Sequence, residues 1–246
     1  MLSILCYIIL LVYTLVSFVI LCAVFLLTVP FDRKRRAIHL VSRLWATAYF
    51  RLVPGWSVKI EGRENARTGG PYVVVVNHRS MLDIILMYAV PLNFRWVSKK
   101  EVYKWPIFGA VLWMHGDITI ARGTASAVKQ LVHEGGMWLS RGVSVMIFPE
   151  GSRGKKPEVG RFHEGAFLLA KKTGVGILPV VAEGTGTSSK GWRVNFRNRY
   201  RVRILPPVDA EQVQQTPVKD MTTRIQALMA EEYDRLRDET GNYDKY

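Results

Sequence analysis

The stretch VVVVNHRSMLDIILMY, residues 73–88, decides how the chain is read. Its opening valines form an unbroken β-branched run of the kind buried on both faces of a parallel sheet, and the apolar residues after Ser80 suit a helix. Between the two stand Asn77, His78, Arg79 and Ser80, with Asp83 just inside the helix. That is the C-terminal end of a buried strand, where open α/β sheets bind their ligands. Ser80 followed three residues later by Asp83 fits a capping box, which gives Asp83 a purely structural reading. The same box starts the helix after His78 and leaves the imidazole in the turn, within reach of Asp83. A carboxylate that accepts from one ring nitrogen fixes the tautomer and raises the basicity of the other, so His78 also reads as a general base.

Working outward, β-branched runs alternate with helical stretches. Strands are expected at 72–76, 95–98, 118–120, 143–148, 177–181 and 202–205, and helices near 80–89, 125–140 and 164–172, with an amphipathic helix over 218–237. The alternation predicts an α/β fold: a mixed, largely buried sheet flanked by helices. At 246 residues the chain suits one catalytic domain, expected over 55–246, preceded by an N-terminal segment, 1–54, of different character.

The first 30 residues carry no charged side chain and, as a helix, exceed the roughly 30 Å hydrocarbon core of a bilayer. They lack the basic start and short apolar core of a cleavable signal, so the segment is expected to be a retained membrane anchor. Arg33, Lys34, Arg35 and Arg36 follow at once, and the positive-inside tendency puts the downstream chain on the cytoplasmic side. From 33 to 52 apolar and basic residues alternate at helical spacing. That basic amphipathic helix either lies in the membrane interface or packs on its own domain. Cys6 and Cys22 fall inside the apolar segment and offer neither a disulfide framework nor a metal site. No metal is expected. With 34 Lys plus Arg against 20 Asp plus Glu, the net charge of +14 favours anionic partners.

Two further clusters bear on chemistry. VMIFPEGSRG, residues 145–154, is again a buried strand running into a polar turn. Its plain reading is a solvated sheet-edge turn; its functional one is Arg153 gripping a phosphate, with Glu150 steering it or contacting hydroxyls. KKEVYKWPIFG, from Lys99, leads on to GDITIAR, so that Lys100 and Arg122 flank an aromatic, proline-stiffened stretch. Each cation alone is ordinary surface charge. Together, three strand ends offering a base or a cation suggest one site for a phosphorylated molecule with a free hydroxyl. No GxSxG elbow and no placed cysteine supplies a nucleophile, so His78 would activate a hydroxyl that the substrate brings.

NHRSMLD matches the NHx4D motif of the glycerolipid acyltransferase family and FPEGSRG its FPEGTR motif. The stretch from Lys100 through Pro106 and Gly109 to Arg122 resembles the family's second block, and LPVV at 178–181 its fourth. Length, apolar N-terminus and basic character resemble most closely the bacterial lysophosphatidic acid acyltransferases. The resemblance implies acyl transfer from acyl carrier protein or coenzyme A, as cosubstrate and without other cofactor, to the sn-2 hydroxyl of lysophosphatidic acid. No acyl-enzyme is implied. His78 resembles the base and Asp83 its orienting partner, with Arg153, Arg122 and Lys100 as phosphate grip. Glu150, Gly151 and Ser152 belong to the motif that positions the acceptor. The expected location is the cytoplasmic face of a bacterial inner membrane, with the lipid bilayer as partner. Three positions depart from the family pattern: Ser152 for threonine, Ala121 for aspartate and His163 for lysine.

Three alternatives stay open: an acyltransferase for another lysophospholipid or a lyso-ornithine lipid, a membrane-bound thioesterase with His78 activating water, and a nucleic-acid binder. For the last, RVNFRNRYRVRI at 193–204 mixes basic and aromatic residues, but its alternation reads equally as a strand, and no nucleic-acid partner is expected.

Overall fold

The computed structural model describes residues 1–66, 70–121, 125–154 and 156–241. In chain order its elements are α1 (Leu2–Thr28), α2 (Arg36–Leu52), β1 (Ser57–Glu61), β2 (Tyr72–Val76), α3 (Leu82–Leu86), β3 (Phe94–Lys99), α4 (Phe108–His115), β4 (Ile118–Ile120) and α5 (Ala125–Ser140). These are followed by β5 (Ser144–Ile147), α6 (Gly165–Thr173), β6 (Gly176–Glu183), β7 (Ser189–Lys190), β8 (Arg193–Val194), β9 (Arg199–Ile204), α7 (Ala210–Gln215) and α8 (Val218–Thr240).

Among the described residues, seven strands form one sheet in the order β1-β9-β6-β2-β5-β3-β4. All neighbours are parallel except β6 and β9. The sheet is therefore mixed, as the sequence predicts, and mostly parallel. β2, β5 and β6 are buried at every position, which explains their unbroken apolar runs. Side chains alternate between two cores. Val73, Val75, Val145 and Ile177 pack with α5, α6 and α8 on one face. Val74, Val76, Met146 and Leu178 pack on the other with Phe94, Leu86 and Tyr88, and with Ala46 and Phe50 of α2. The basic amphipathic helix is thus part of the second core, and its exposed side keeps Leu40 and Leu44.

Sequence reasoning passed over β1, α4, α7 and the β7–β8 hairpin. The stretch 193–204 resolves into β8 and β9. Tyr200, Val202 and Ile204 of β9 point inward, while Arg203 binds Glu61 at 2.6 Å and Glu239 at 2.9 Å and also meets Glu232.

α1 and α2 form an antiparallel hairpin. Near its start, Cys6 and Leu10 pack on Val53 with Trp56, Val194 and Phe196, and the Ser3 hydroxyl accepts from the Val194 N–H at 3.2 Å. Near its end, Leu21 and Phe25 pack on Ile38 and Met114, and the Phe25 ring lies 5.2 Å from that of Trp113 in α4. Ser3 to Phe25 spans about 33 Å of helix at 1.5 Å per residue. The helix therefore lies along the domain and touches it at both ends. Its opposite face, including Leu5, Val12, Val19, Leu26 and Leu27, is exposed, and so are Trp105, Phe108 and Trp113 nearby. An apolar surface of that extent calls for lipid or protein cover.

Candidate active site

The parallel strands carry the site at their C-terminal ends. β2 delivers Asn77 and His78, and β5, its neighbour, delivers the turn from Phe148 to Arg153. The Asn77 amide fixes the first of these ends: it donates to the Ala182 carbonyl and accepts from the Ala182 N–H, both at 2.8 Å. The side chain thereby continues the β2–β6 ladder one step after the backbone has turned away.

That turn places His78 Nδ1 2.9 Å from Asp83 Oδ2. The same oxygen accepts from the N–H groups of Arg79 and Ser80, each at 2.7 Å, and Oδ1 accepts from the Thr185 hydroxyl at 2.5 Å. Asp83 is fully buried. Capping and orienting are therefore one arrangement rather than rival readings: the carboxylate that holds the turn also accepts a hydrogen bond from the imidazole. Because a carboxylate only accepts, Nδ1 is the N–H nitrogen and Nε2 carries the lone pair. Nε2 bonds to no other described residue, and the His78 side chain keeps 12% of its surface exposed. Beneath it the Phe148 ring stacks at 3.9 Å and 12°, and Trp96 stacks on Phe148 at 4.9 Å. The phenylalanine of the second motif thus supports the histidine of the first.

Glu150 is buried and engaged. Its Oε1 accepts from the His78 N–H at 2.9 Å and its Oε2 from the Gly160 N–H at 3.1 Å. Burial pushes its carboxyl above the ordinary range, while these two bonds oppose the rise. Glu150 therefore anchors the histidine turn from below, each of its oxygens accepting one backbone N–H. Gly151 sits at φ +72°, and a Cβ there would come 3.2 Å from the His163 ring. Ser152 and Arg153 are exposed on the turn. Gly154 closes it by donating to the His78 carbonyl at 2.9 Å.

Arg153 lines a groove of about 310 Å³ together with Arg79, Ser80 and Thr185, and its far wall is Tyr7 and Leu10 of α1 with Tyr49 of α2. The lining combines the two guanidinium groups and several hydroxyls with apolar and aromatic side chains, a combination suited to an amphiphile. Lys100 is exposed where β3 passes into a short 3-10 helix, and it makes no bond to the other site residues. Its strand end is two positions from β2, about 10 Å at the usual strand spacing. Arg122 lies outside the described residues. His78, Asp83, Glu150, Gly151, Ser152 and Arg153 are thus gathered on two adjacent strand ends, with Lys100 further along the same sheet edge.

Thr185, Arg79 and Phe148 join the site without having been singled out. Among the described residues no group of three or more metal-binding side chains occurs.

The sequence profile of the family described as Acyltransferase matches residues 57–183, which include both strand-end motifs. The chain is 33% identical over 177 residues to a chloroplast 1-acyl-sn-glycerol-3-phosphate acyltransferase of Arabidopsis thaliana, covering 71% of this chain and 49% of that one. It thus spans about half the length of that plant relative. It is 29% identical over 196 residues to the 1-acyl-sn-glycerol-3-phosphate acyltransferase of Salmonella typhimurium, with 78% and 79% covered. The crystal structure of the 1-acyl-sn-glycerophosphate acyltransferase of Thermotoga maritima shares its fold, with a TM-score of 0.72, 23% identity and 94% of this chain covered. With the profile extending over more than half of its residues, the chain belongs to the acyltransferase family.

Proposed function

We propose that the chain moves a fatty acyl group from a thioester, on acyl carrier protein or coenzyme A, to the sn-2 hydroxyl of lysophosphatidic acid, yielding phosphatidic acid. The observation that carries this reading is the His78–Asp83 pair beside a groove that joins cations to an apolar wall. Nε2 removes the proton of the acceptor hydroxyl as the oxygen attacks the thioester carbonyl. The tetrahedral intermediate collapses, the C–S bond breaks, and the imidazolium returns its proton to the departing thiolate. The acceptor is itself the nucleophile, so no acyl-enzyme forms. Asp83 stabilises the transient imidazolium and holds its tautomer.

The acceptor's phosphate is assigned to Arg153 and Arg79 in the groove. Lys100 serves at longer reach, and Arg122 is assigned to the same grip on the family motif alone. Glu150 and Gly151 shape the turn, with Ser152 at its tip. Membrane association follows from the exposed apolar face of α1. Because both ends of α1 seat on the same domain, the helix is read as lying in one leaflet, with the groove at headgroup depth. Positive-inside reasoning presumes a crossing helix, so the cytoplasmic side rests on the need for a soluble thioester donor.

The test is acyl transfer by purified protein with one acyl thioester and, separately, lysophosphatidic acid, other lysophospholipids and lyso-ornithine lipid. Selective formation of phosphatidic acid is expected. Arg153→Ala should chiefly raise KM, by roughly 10- to 100-fold for a lost charge-assisted bond of about 1.5–3 kcal/mol. An unchanged KM would remove the phosphomonoester headgroup from the reading, and rapid release of free fatty acid without acceptor would replace transfer by thioester hydrolysis.

A further inference from the structure

At the opposite edge of the sheet from His78, a second groove of about 770 Å³ opens beside the turn between α1 and α2. Arg33, Lys34, Arg35 and Arg141 line it, the Trp138 ring contributes to its wall, and Val29 brings the end of the hairpin's first helix to its rim. None of the four cations forms an ion pair among the described residues. Nη1 of Arg35 is buried with no hydrogen-bond partner, although its guanidinium lies 4.9 Å from the Phe25 ring centre. The nearby carboxylate of Asp32 is already used, accepting from the Ala37 N–H at 2.8 Å.

The turn that presents these cations is built from within. Arg95, fully buried, donates through Nη2 to the Lys34 carbonyl at 2.6 Å, and Asn93 donates to the same oxygen at 2.9 Å. The Arg95 guanidinium lies 4.6 Å from the Trp138 ring centre and that of Arg141 5.2 Å from it. Four cations held around one concavity repel one another in the free protein, and an anion placed among them relieves that repulsion.

We propose that this groove is a non-catalytic binding site for a phosphate-bearing headgroup, and that its occupant is an anionic phospholipid of the surrounding membrane. Continuity with lipid-facing surface argues for the amphiphile over a soluble phosphate: Leu26, Leu27 and Phe31, beside Val29, are 72%, 76% and 86% exposed. The inference uses the membrane placement given under the proposed function but concerns a different edge of the molecule. A headgroup held here would fix the second end of the hairpin at the lipid surface while the first end borders the catalytic groove.

The test uses the full chain and the triple variant Arg33→Gln, Lys34→Gln, Arg141→Gln. A control of equal charge loss is Lys172→Gln, Lys219→Gln, Arg224→Gln, on exposed positions of α6 and α8. Partition is measured onto phosphatidylcholine vesicles with and without phosphatidylglycerol, and acyl transfer is measured separately in detergent micelles. The groove variant should lose about tenfold or more of its preference for the anionic vesicles, the control far less, and both should retain micellar activity. Equal loss in both variants would reduce the effect to net charge and overturn the site. Tight, groove-dependent binding of glycerol 3-phosphate or inorganic phosphate in detergent would overturn the lipid assignment in favour of a soluble anion. Unchanged vesicle partition with a slower reaction from acyl carrier protein, but not from coenzyme A, would overturn it in favour of an acidic protein. Absence of acyl transfer in the unmodified protein would count against the proposed function alone, because vesicle partition is read independently.

Discussion

Asp83 accepts four hydrogen bonds, from the His78 ring, the Arg79 and Ser80 N–H groups and the Thr185 hydroxyl. A buried carboxylate so supplied is held in place from every side, and it passes that order to the imidazole. His78→Ala should lower kcat by about 10²- to 10⁴-fold, the usual scale for general-base catalysis, with acceptor binding largely kept; comparable turnover in the variant would leave the motif as a helix cap alone. Thr185→Val should lower kcat about tenfold with KM little changed, and Thr185→Ser should restore it, since the hydroxyl bond to a charged partner is the part that acts. Equal activity of the valine and serine variants would make Thr185 mere packing. Glu150→Gln turns one accepting oxygen into a donor that meets either the His78 or the Gly160 N–H, and thermal unfolding should record a loss of about 1–3 kcal/mol. His78 and Asp83 were legible in the sequence because the pair is local and one turn joins it. Thr185 was not, because 102 positions separate it from Asp83 and only strand order brings them together. Glu150 was legible as a member of the second cluster, but its bonds to the His78 and Gly160 N–H groups were not, because only the fold brings those groups to it.

At the scale of elements, the fully buried strands were plain to read because burial on both faces leaves an unmistakable composition. β1 was not, since SVKIE at the sheet edge mixes polar and apolar residues and is only partly buried. α4 was hidden by its shortness and its apolar run without helical periodicity up to His115, and Gly109 at its start is required by the backbone of Tyr103, 2.1 Å from where a Cβ would lie. For α1, length and hydropathy predict a membrane anchor, with the basic run after it placing the downstream chain on the cytoplasmic side; the structure has there a 27-residue apolar helix with one face exposed. Tyr7 and Leu10 of this helix also line the groove beside the His78–Asp83 turn. Val19→Lys with Leu26→Lys, both on the exposed face, should release the protein from vesicles while leaving turnover of a short-chain soluble acceptor unchanged. Leu10→Ala should instead lower stability by about 2–5 kcal/mol and alter KM, because it opens a hole between helix and groove. If both changes acted alike, α1 would have one role and not two.

For the molecule as a whole, the sheet separates two cationic edges, one carrying Arg79 and Arg153 and the other Arg33, Lys34, Arg35 and Arg141. Asp117 stands just before β4, at the strand's N-terminal end; its carboxylate accepts from the Trp96 N–H at 2.8 Å, and burial pushes its pKa up to about 7, with Arg95 opposing. The folded chain holds this proton after the unfolded chain has released it. The group's contribution to stability is thus full below about pH 4 and is lost as pH rises through about 7. Unfolding followed from pH 4 to 8 should show the parent losing stability relative to Asp117→Asn as pH increases; parallel curves would remove the burial effect.

The seating of both ends of α1 on one domain has a consequence for labelling experiments. Cysteines placed at the exposed positions Leu2 and Lys219 should react with a membrane-impermeant thiol reagent from the same side of a sealed vesicle. Reaction of the two from opposite sides would require the helix to leave the domain and thread the bilayer. Fluorescent reporters fused at the two termini would, for the same reason, share one compartment.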